Sequence, residues 1–190
     1  MTEKRESASR ARTRQAILEA AIEVLGRNPA APLGEVAVAA AVGRTTLHRY
    51  FPERSDLLAA LGAEAASRLG GVVARARTPE GSGAVAFRRL CAEYFDLGEL
   101  LSLLFRNPVL LDGLDWSEQG ACDAGVTEVI ERGHRDGTID PELPVDWLRN
   151  FIWAQLYTGW SYQAETGRTR HEVLRLILRT VDGVIAVKRD

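Results

Sequence analysis

Hydrogen-bond donors are concentrated in one seven-residue stretch of this 190-residue chain, which reads RTTLHRY. Six of its side chains carry a donor: Arg44, Thr45, Thr46, His48, Arg49 and Tyr50. A guanidinium can bond a guanine at two points, a threonine methyl can touch a thymine methyl, and all these donors can bond phosphate oxygens. Leu47, with Phe51 four positions later, would lie on the opposite side of a helix and is expected in the core. Such a set suits contact with duplex DNA.

The elements around this stretch follow the order of a helix-turn-helix. A short apolar helix is predicted from Leu33, followed by a tight turn at Val42-Gly43, a second short helix and a stop at Phe51-Pro52. In that motif the first helix braces the second, whose N-terminal residues face base edges in the major groove. We expect phosphate or minor-groove contacts from the N-terminal arm with Arg10, Arg12 and Arg14, and a phosphate contact from Arg54 at the start of the next helix.

Helical periodicity continues through the rest of the chain. Apolar residues recur at spacings of three and four over residues 17–25 and 87–105, and a further helix is predicted over 53–75. Thr169-x-x-Glu172 forms a capping box before the last helix. No segment alternates apolar and polar residues long enough to favour a strand. The sequence therefore predicts an all-α fold of about nine helices, with a three-helix head over 1–52 and a helical body over 53–190.

Charge, cysteines and hydropathy narrow the class of protein. The formal net charge is −2, yet residues 1–54 hold nine Lys and Arg against six Asp and Glu. This imbalance favours a head that contacts DNA and a body that does not. Cys91 and Cys122 are expected as core residues, which suits a reduced cytoplasm. No apolar run approaches the roughly 18 residues of a membrane span, so no membrane partner is predicted.

Catalytic and metal-binding motifs are missing from the sequence. It contains no H-E-x-x-H, no G-x-x-x-x-G-K-[ST], no G-x-S-x-G and no Cys or His pair at metal spacing. We therefore predict no enzymatic activity, no catalytic residues, no metal and no cofactor.

Two stretches resemble the TetR family of transcriptional regulators. The first is RQAILEAA, from Arg14 to Ala21; the second runs from Val36 to Leu57 and follows V-A-x-x-A-x-V-S-x-x-T-L-Y-x-x-F-x-x-K-x-x-L. The resemblance covers about the first 60 residues. Four positions depart from the family pattern: Ala41 replaces a glycine, Gly43 a serine, His48 a tyrosine and Arg54 a lysine.

The resemblance implies a homodimeric repressor that binds a palindromic double-stranded DNA operator. It also implies that the last two helices of the body dimerise as a four-helix bundle. Between the middle helices it implies a small-molecule pocket, whose effector releases the operator. Aromatic residues are the candidates for lining that pocket, and we expect a neutral or weakly polar, fairly hydrophobic effector; the candidates are Tyr94, Phe105, Trp116, Trp153, Tyr157 and Trp160.

Other interpretations stay open at this level. The aromatic residues can pack the core or a dimer interface instead of lining a pocket. The chain can also be a helical small-molecule-binding or interaction protein without specific DNA binding, which weak, sequence-independent binding with a shallow salt dependence would favour. An all-α enzyme is a third interpretation, which would require turnover that survives removal of the first 54 residues.

Overall fold

The computed structural model describes residues 8–106 and 116–187, and of residues 102, 105, 106 and 116–123 it describes the backbone alone. Every regular element in these ranges is helical, as predicted. The ten helices are α1 (Ala8–Arg27), α2 (Leu33–Ala39), α3 (Arg44–Tyr50), α4 (Arg54–Gly70), α5 (Val72–Arg75), α6 (Gly83–Phe95), α7 (Gly98–Arg106), α8 (Trp116–Arg135), α9 (Val145–Thr166) and α10 (Arg170–Ile185).

The chain forms two compact units. The first takes its described residues from Met1–Ala65 and Glu99–Leu114, and the second from Ala66–Gly98 and Asp115–Asp190. The division into a head over 1–52 and a body over 53–190 is not tested by this grouping and stays a prediction. In the first unit, apolar side chains of α1 to α4 and α7 form the core: Ile17, Leu18, Leu25, Val36, Leu47, Leu57, Leu61 and Leu100 are all buried.

The helix predicted over 53–75 is divided in the structure. It ends at Gly70, and after Gly71 a single turn, α5, completes it. Two consecutive glycines lower helix stability by about 1 kcal/mol each, which accounts for the interruption. By length and composition alone, Arg54–Arg75 would suffice to cross a membrane, so the expectation that no stretch approaches that length is wrong. One such helix is weak evidence for a membrane span, because the core helix of a soluble protein can have the same length and composition.

The apolar stripe over 87–105 also divides into two helices, α6 and α7. The indole Nε1 of Trp160 donates to the carbonyl oxygen of Phe95 at 3.2 Å. In a continuous helix that oxygen would accept from the amide four residues later. A side chain 65 residues away therefore takes the place of the helical partner.

In the second unit, α6, α8, α9 and α10 surround an apolar core. Glycine lets two of these helices approach closely, because a Cβ on Gly83 would lie 2.2 Å from the Cα and the nitrogen of Gly133. Cys91 is fully buried here, and burial raises the pKa of its thiol to about 12, as expected of a core cysteine. The capping box predicted before α10 is confirmed, since the side chain of Thr169 and that of Glu172 each accept from the other's backbone amide.

The loop after α8 anchors the first turn of α6 through one carboxylate. Asp136 accepts hydrogen bonds from the Gly83 amide at 2.8 Å and from the Thr138 amide at 3.1 Å and hydroxyl at 2.5 Å. The Thr138 hydroxyl bond, followed by the backbone bonds, lowers the pKa of Asp136 below its usual value. The ionised carboxylate therefore stabilises the folded state.

We expect Asp136→Ala to lower the free energy of unfolding by about 1 kcal/mol at pH 7, because the Gly83 amide loses its acceptor. The pKa of Asp136 is lower in the folded state than in the unfolded state, where it is about 3.9. The carboxylate therefore stabilises the folded state at pH values above about 3.9, and this contribution disappears as pH falls through the pKa of the folded state. The difference between wild type and variant should thus shrink below about pH 4. Urea unfolding of both proteins at pH 7 and pH 3 measures this difference in unfolding free energy. A larger difference at pH 3 than at pH 7 would contradict the stabilising role of the ionised Asp136.

Candidate nucleic-acid interface

The helix α3 has one buried and one exposed side, as its sequence predicts. Leu47 and Phe51 are 1% and 3% exposed, which confirms that they belong to the core. Arg44, Thr45, His48 and Arg49 are exposed, and Thr46 and Tyr50 are half-buried. The donor groups therefore share the solvent side of a helix that its apolar side holds in place.

The turn between α2 and α3 is a Schellman motif. The amide of Val42 donates to the Ala37 oxygen at 2.9 Å and that of Ala41 to the Val38 oxygen at 3.0 Å, which satisfies the last carbonyls of α2. The motif places Ala41 in the left-handed region, with φ of 52°. A Cβ costs about 1 kcal/mol there, so glycine usually occupies this position.

We expect Ala41→Gly to raise the free energy of unfolding by about 0.5–1 kcal/mol, because it removes the steric cost of the Cβ at positive φ. The matched control is Gly137→Ala in the second unit. Gly137 occupies the same position of a Schellman motif after α8, with φ of 69°, and a Cβ added to it would meet no atom within 4 Å. That change should destabilise by a similar amount. Guanidinium unfolding curves measure both, and equal signs for the two variants would disprove the backbone argument.

Arg44 opens α3 directly after the turn. Gly43 caps the helix with extended backbone and without a side-chain acceptor. The Arg44 guanidinium lies against Gly34 of α2, with its Nη2 atom 3.3 Å from where a Cβ on that glycine would be. Nothing in the sequence motif indicated this contact, because it depends on the approach of α2 to α3.

Two further donor residues of α3, His48 and Arg49, have local partners. The Nδ1 atom of His48 lies 3.3 Å from the carbonyl oxygen of Pro52. The Arg49 guanidinium lies over the Tyr50 ring, 5.7 Å from its centroid. Arg44 and His48 also line one open cleft of about 680 Å³ with apolar residues of α1 and α2, so both occupy the same side of α3.

Arg14 and Arg54, two predicted DNA-contacting residues outside α3, make contacts within the first unit. Arg14 of α1 lies over the Phe51 ring, 5.7 Å from its centroid. Arg54 donates to the carbonyl oxygens of Pro29 at 2.5 Å and Ala31 at 2.6 Å, in the loop between α1 and α2. Its guanidinium thus fixes that loop, and its phosphate contact stays a prediction. The sequence alone gave no signal for the role in the loop.

The aromatic residues predicted to line a pocket are divided among different surroundings. Tyr94 is buried and its ring centroid lies 4.9 Å from that of the half-buried Trp153. Trp160 stacks on Phe95, while Tyr157 is 54% exposed. The side chains of Phe105 and Trp116 lie outside the described residues. Among the side chains described, no group of three His, Cys, Asp or Glu residues could hold a metal ion.

Comparisons with known proteins agree with this arrangement. The family model described as "Bacterial regulatory proteins, tetR family" matches residues 17–61. The chain is 37% identical over 185 residues to the HTH-type transcriptional repressor LfrR of Mycolicibacterium smegmatis, covering 97% of this chain and 96% of the relative.

Solved structures show the same fold. The TetR-like regulator LfrR from Mycobacterium smegmatis in complex with proflavine superposes with a TM-score of 0.73 at 33% identity, covering 95% of this chain and 100% of that one. The ketosteroid regulator KstR2 of Mycobacterium tuberculosis, 16% identical, has a TM-score of 0.77 over 92% of this chain and 95% of its own, which shows the fold alone.

The family consists of transcriptional regulators and not of enzymes, as the missing catalytic motifs predicted. The similarity to a regulator of this family extends over nearly the whole chain. It agrees with the exposed donors of α3 and with the Schellman turn before that helix. The chain belongs to the TetR family and is a helix-turn-helix, DNA-binding transcriptional regulator.

Proposed function

We propose that this protein is a cytoplasmic, homodimeric repressor that binds a palindromic operator through α3 and leaves it when a flat aromatic effector binds the body. The observation that carries the proposal is the exposed row of donors on α3 above the buried Leu47 and Phe51. The similarity to the repressor LfrR supports repression as the direction of control. Thr45, Thr46 and Tyr50 act with the arginines of α3 in contacting bases and phosphates.

A second copy of the chain is needed because one short helix reads only a few base pairs. The last two helices offer a surface for it. Exposed small and apolar residues recur on the side of α9 and α10 away from their buried residues, and they include Trp147, Ala154, Thr158, Leu176, Thr180 and Gly183. Trp147 is 60% exposed and Leu176 is 44% exposed, and both lie among these exposed residues. Contiguous exposed apolar surface of this kind marks an interaction site. We infer that these exposed residues of α9 and α10 pack against the same two helices of a second protomer.

The effector follows from the aromatic residues of the second unit and from the relative. LfrR has been solved in complex with proflavine, a flat three-ring aromatic. In this chain, the half-buried Trp153 ring of α9 packs against the buried Tyr94 ring of α6, with an interplanar angle of 55°. Stacking on such rings favours flat aromatic molecules. The Nε1 of Trp160 donates a hydrogen bond to the Phe95 carbonyl oxygen, so Trp160 supports the fold around these two rings.

We expect Trp153→Ala to weaken proflavine binding about tenfold, because the variant loses the stacking of one half-buried indole. Tyr157→Ala is the matched control from the same helix, one turn away and exposed, and it should bind proflavine as the wild type does. Quenching of proflavine fluorescence measures both dissociation constants. Unchanged affinity in Trp153→Ala would place the effector away from Trp153, and an equal loss in Tyr157→Ala would contradict the specific role of the Trp153 ring.

The proposal as a whole is tested by selecting bound fragments from random duplex DNA with the full-length protein. We expect a palindrome whose half-sites are about 34 Å apart or a multiple of that, bound by two protomers or a multiple of two. Sedimentation velocity at micromolar concentration should show a dimer. Adding proflavine should then release the selected duplex. Enrichment of no sequence would overturn the DNA-binding proposal, and a monomer with a single half-site would overturn the dimer.

A further inference from the structure

We propose that His48 and Arg44 read opposite kinds of base group: His48 accepts a hydrogen bond from the amino group of an adenine or a cytosine, and Arg44 donates to a guanine. The inference rests on the proposed function, namely operator recognition by α3. It goes further because it assigns a direction to each hydrogen bond and thereby constrains the operator sequence.

The contact with Pro52 fixes which nitrogen of the His48 ring carries the proton. Nδ1 lies 3.3 Å from the Pro52 carbonyl oxygen, and a carbonyl oxygen can only accept. The hydrogen therefore lies on Nδ1, which donates to Pro52. In the neutral imidazole the other nitrogen, Nε2, then has a free lone pair and is an acceptor.

An acceptor on an exposed recognition helix has few partners in the major groove. The only donors there are the N6 amino group of adenine and the N4 amino group of cytosine, since guanine and thymine present acceptors. Phosphate oxygens are acceptors too and do not pair with a lone pair. His48 is exposed on α3, so in the major groove its Nε2 would accept from one of these two amino groups.

Arg44 supplies the opposite polarity from the same side of the helix. Its guanidinium has donors only, which suit the O6 and N7 acceptors of guanine. The two residues are four positions apart, or about 6 Å along the helix axis. Base pairs succeed one another every ~3.4 Å, so the two bases read should lie about two steps apart. Each half-site should contain a guanine and, about two steps away, an adenine or a cytosine.

The test removes single amino groups from the duplex selected by the wild-type protein. Adenines are replaced one by one with purine and cytosines with 2-pyrimidinone, and affinity is measured by fluorescence anisotropy at pH 7.5. Each replacement is measured with the wild type and with the His48→Ala variant. For one replacement per half-site, the loss of affinity should be about three- to tenfold larger for the wild type than for the variant. His48→Gln, which offers an amide oxygen as acceptor, should restore part of this sensitivity.

The possible outcomes distinguish operator recognition by α3 from the reading of an amino group by His48. If the wild type enriches a palindrome but every replacement affects wild type and His48→Ala alike, His48 does not read an amino group. A uniform loss for His48→Ala on all duplexes, with a smaller salt slope, would assign it to a phosphate and overturn the inference while operator recognition stands. If the wild type enriches no sequence, operator recognition fails and the inference fails with it.

Discussion

Arg44→Ala combined with Arg49→Ala should lower operator affinity on the order of 100-fold, because it removes one base contact and one phosphate contact per half-site. Both side chains are exposed and neither contributes to the core beneath α3, so the variant should fold as the wild type does. Anisotropy titrations on the selected palindrome measure the loss. The slope of log affinity against log salt should also fall by about one for each phosphate that no longer pairs with an arginine.

The control variant loses the same two positive charges, but from positions outside α3. Arg27 and Arg135 are exposed and form i,i+4 ion pairs with Glu23 and Glu131. Surface pairs of this kind contribute little to stability. The double variant Arg27→Ala, Arg135→Ala should therefore bind the operator within about threefold of wild type. An equal loss in both double variants would attribute binding to overall charge and not to α3.

Gly83→Ala should lower the free energy of unfolding by about 3 kcal/mol, the largest effect on stability that we expect from one methyl group in this chain. The new Cβ would lie 2.2 Å from two backbone atoms of Gly133 and 2.9 Å from the Val129 oxygen. Backbone atoms cannot rotate away as a flexible side chain can. The start of α6 would have to separate from α8, which also breaks the Asp136 bond to the Gly83 amide.

Gly62→Ala is the matched control for this prediction. Gly62 is also helical, in α4, and a Cβ there would meet no atom within 4 Å. The alanine should raise stability by up to about 1 kcal/mol through its helix propensity. Urea denaturation of both variants, with far-UV circular dichroism, measures the contrast. A Gly83→Ala protein as stable as the wild type would show that α6 and α8 do not meet at these glycines.

Local patterns were sufficient to predict the helical class, the start of the last helix and the two sides of α3. The capping box at Thr169 and the burial of Leu47 and Phe51 depend on residues three or four positions apart, so hydrophobic spacing and side-chain chemistry determine them. The exposed side of α3 follows from the same periodicity, and the resemblance to known regulators extends over the same residues.

Contacts between distant residues could not be predicted in this way. The acceptors of Arg54 are 23 and 25 positions before it, and the Trp160 bond that ends α6 spans 65 positions. Each of these depends on which helices meet, and one sequence contains no signal for that. For the same reason, hydrophobic spacing alone did not show that Trp160 supports the fold or that Tyr157 faces solvent in the single chain.

Arg54 also bears on how the first unit unfolds. This one side chain joins the first turn of α4 to the carbonyls of Pro29 and Ala31, so it connects segments that are otherwise separate in sequence. When the loop opens, the guanidinium loses its acceptors; when the first turn of α4 unwinds, the carbonyls lose their donor. Opening of either segment alone therefore breaks both hydrogen bonds, which couples the unfolding of the loop to that of the first turn of α4.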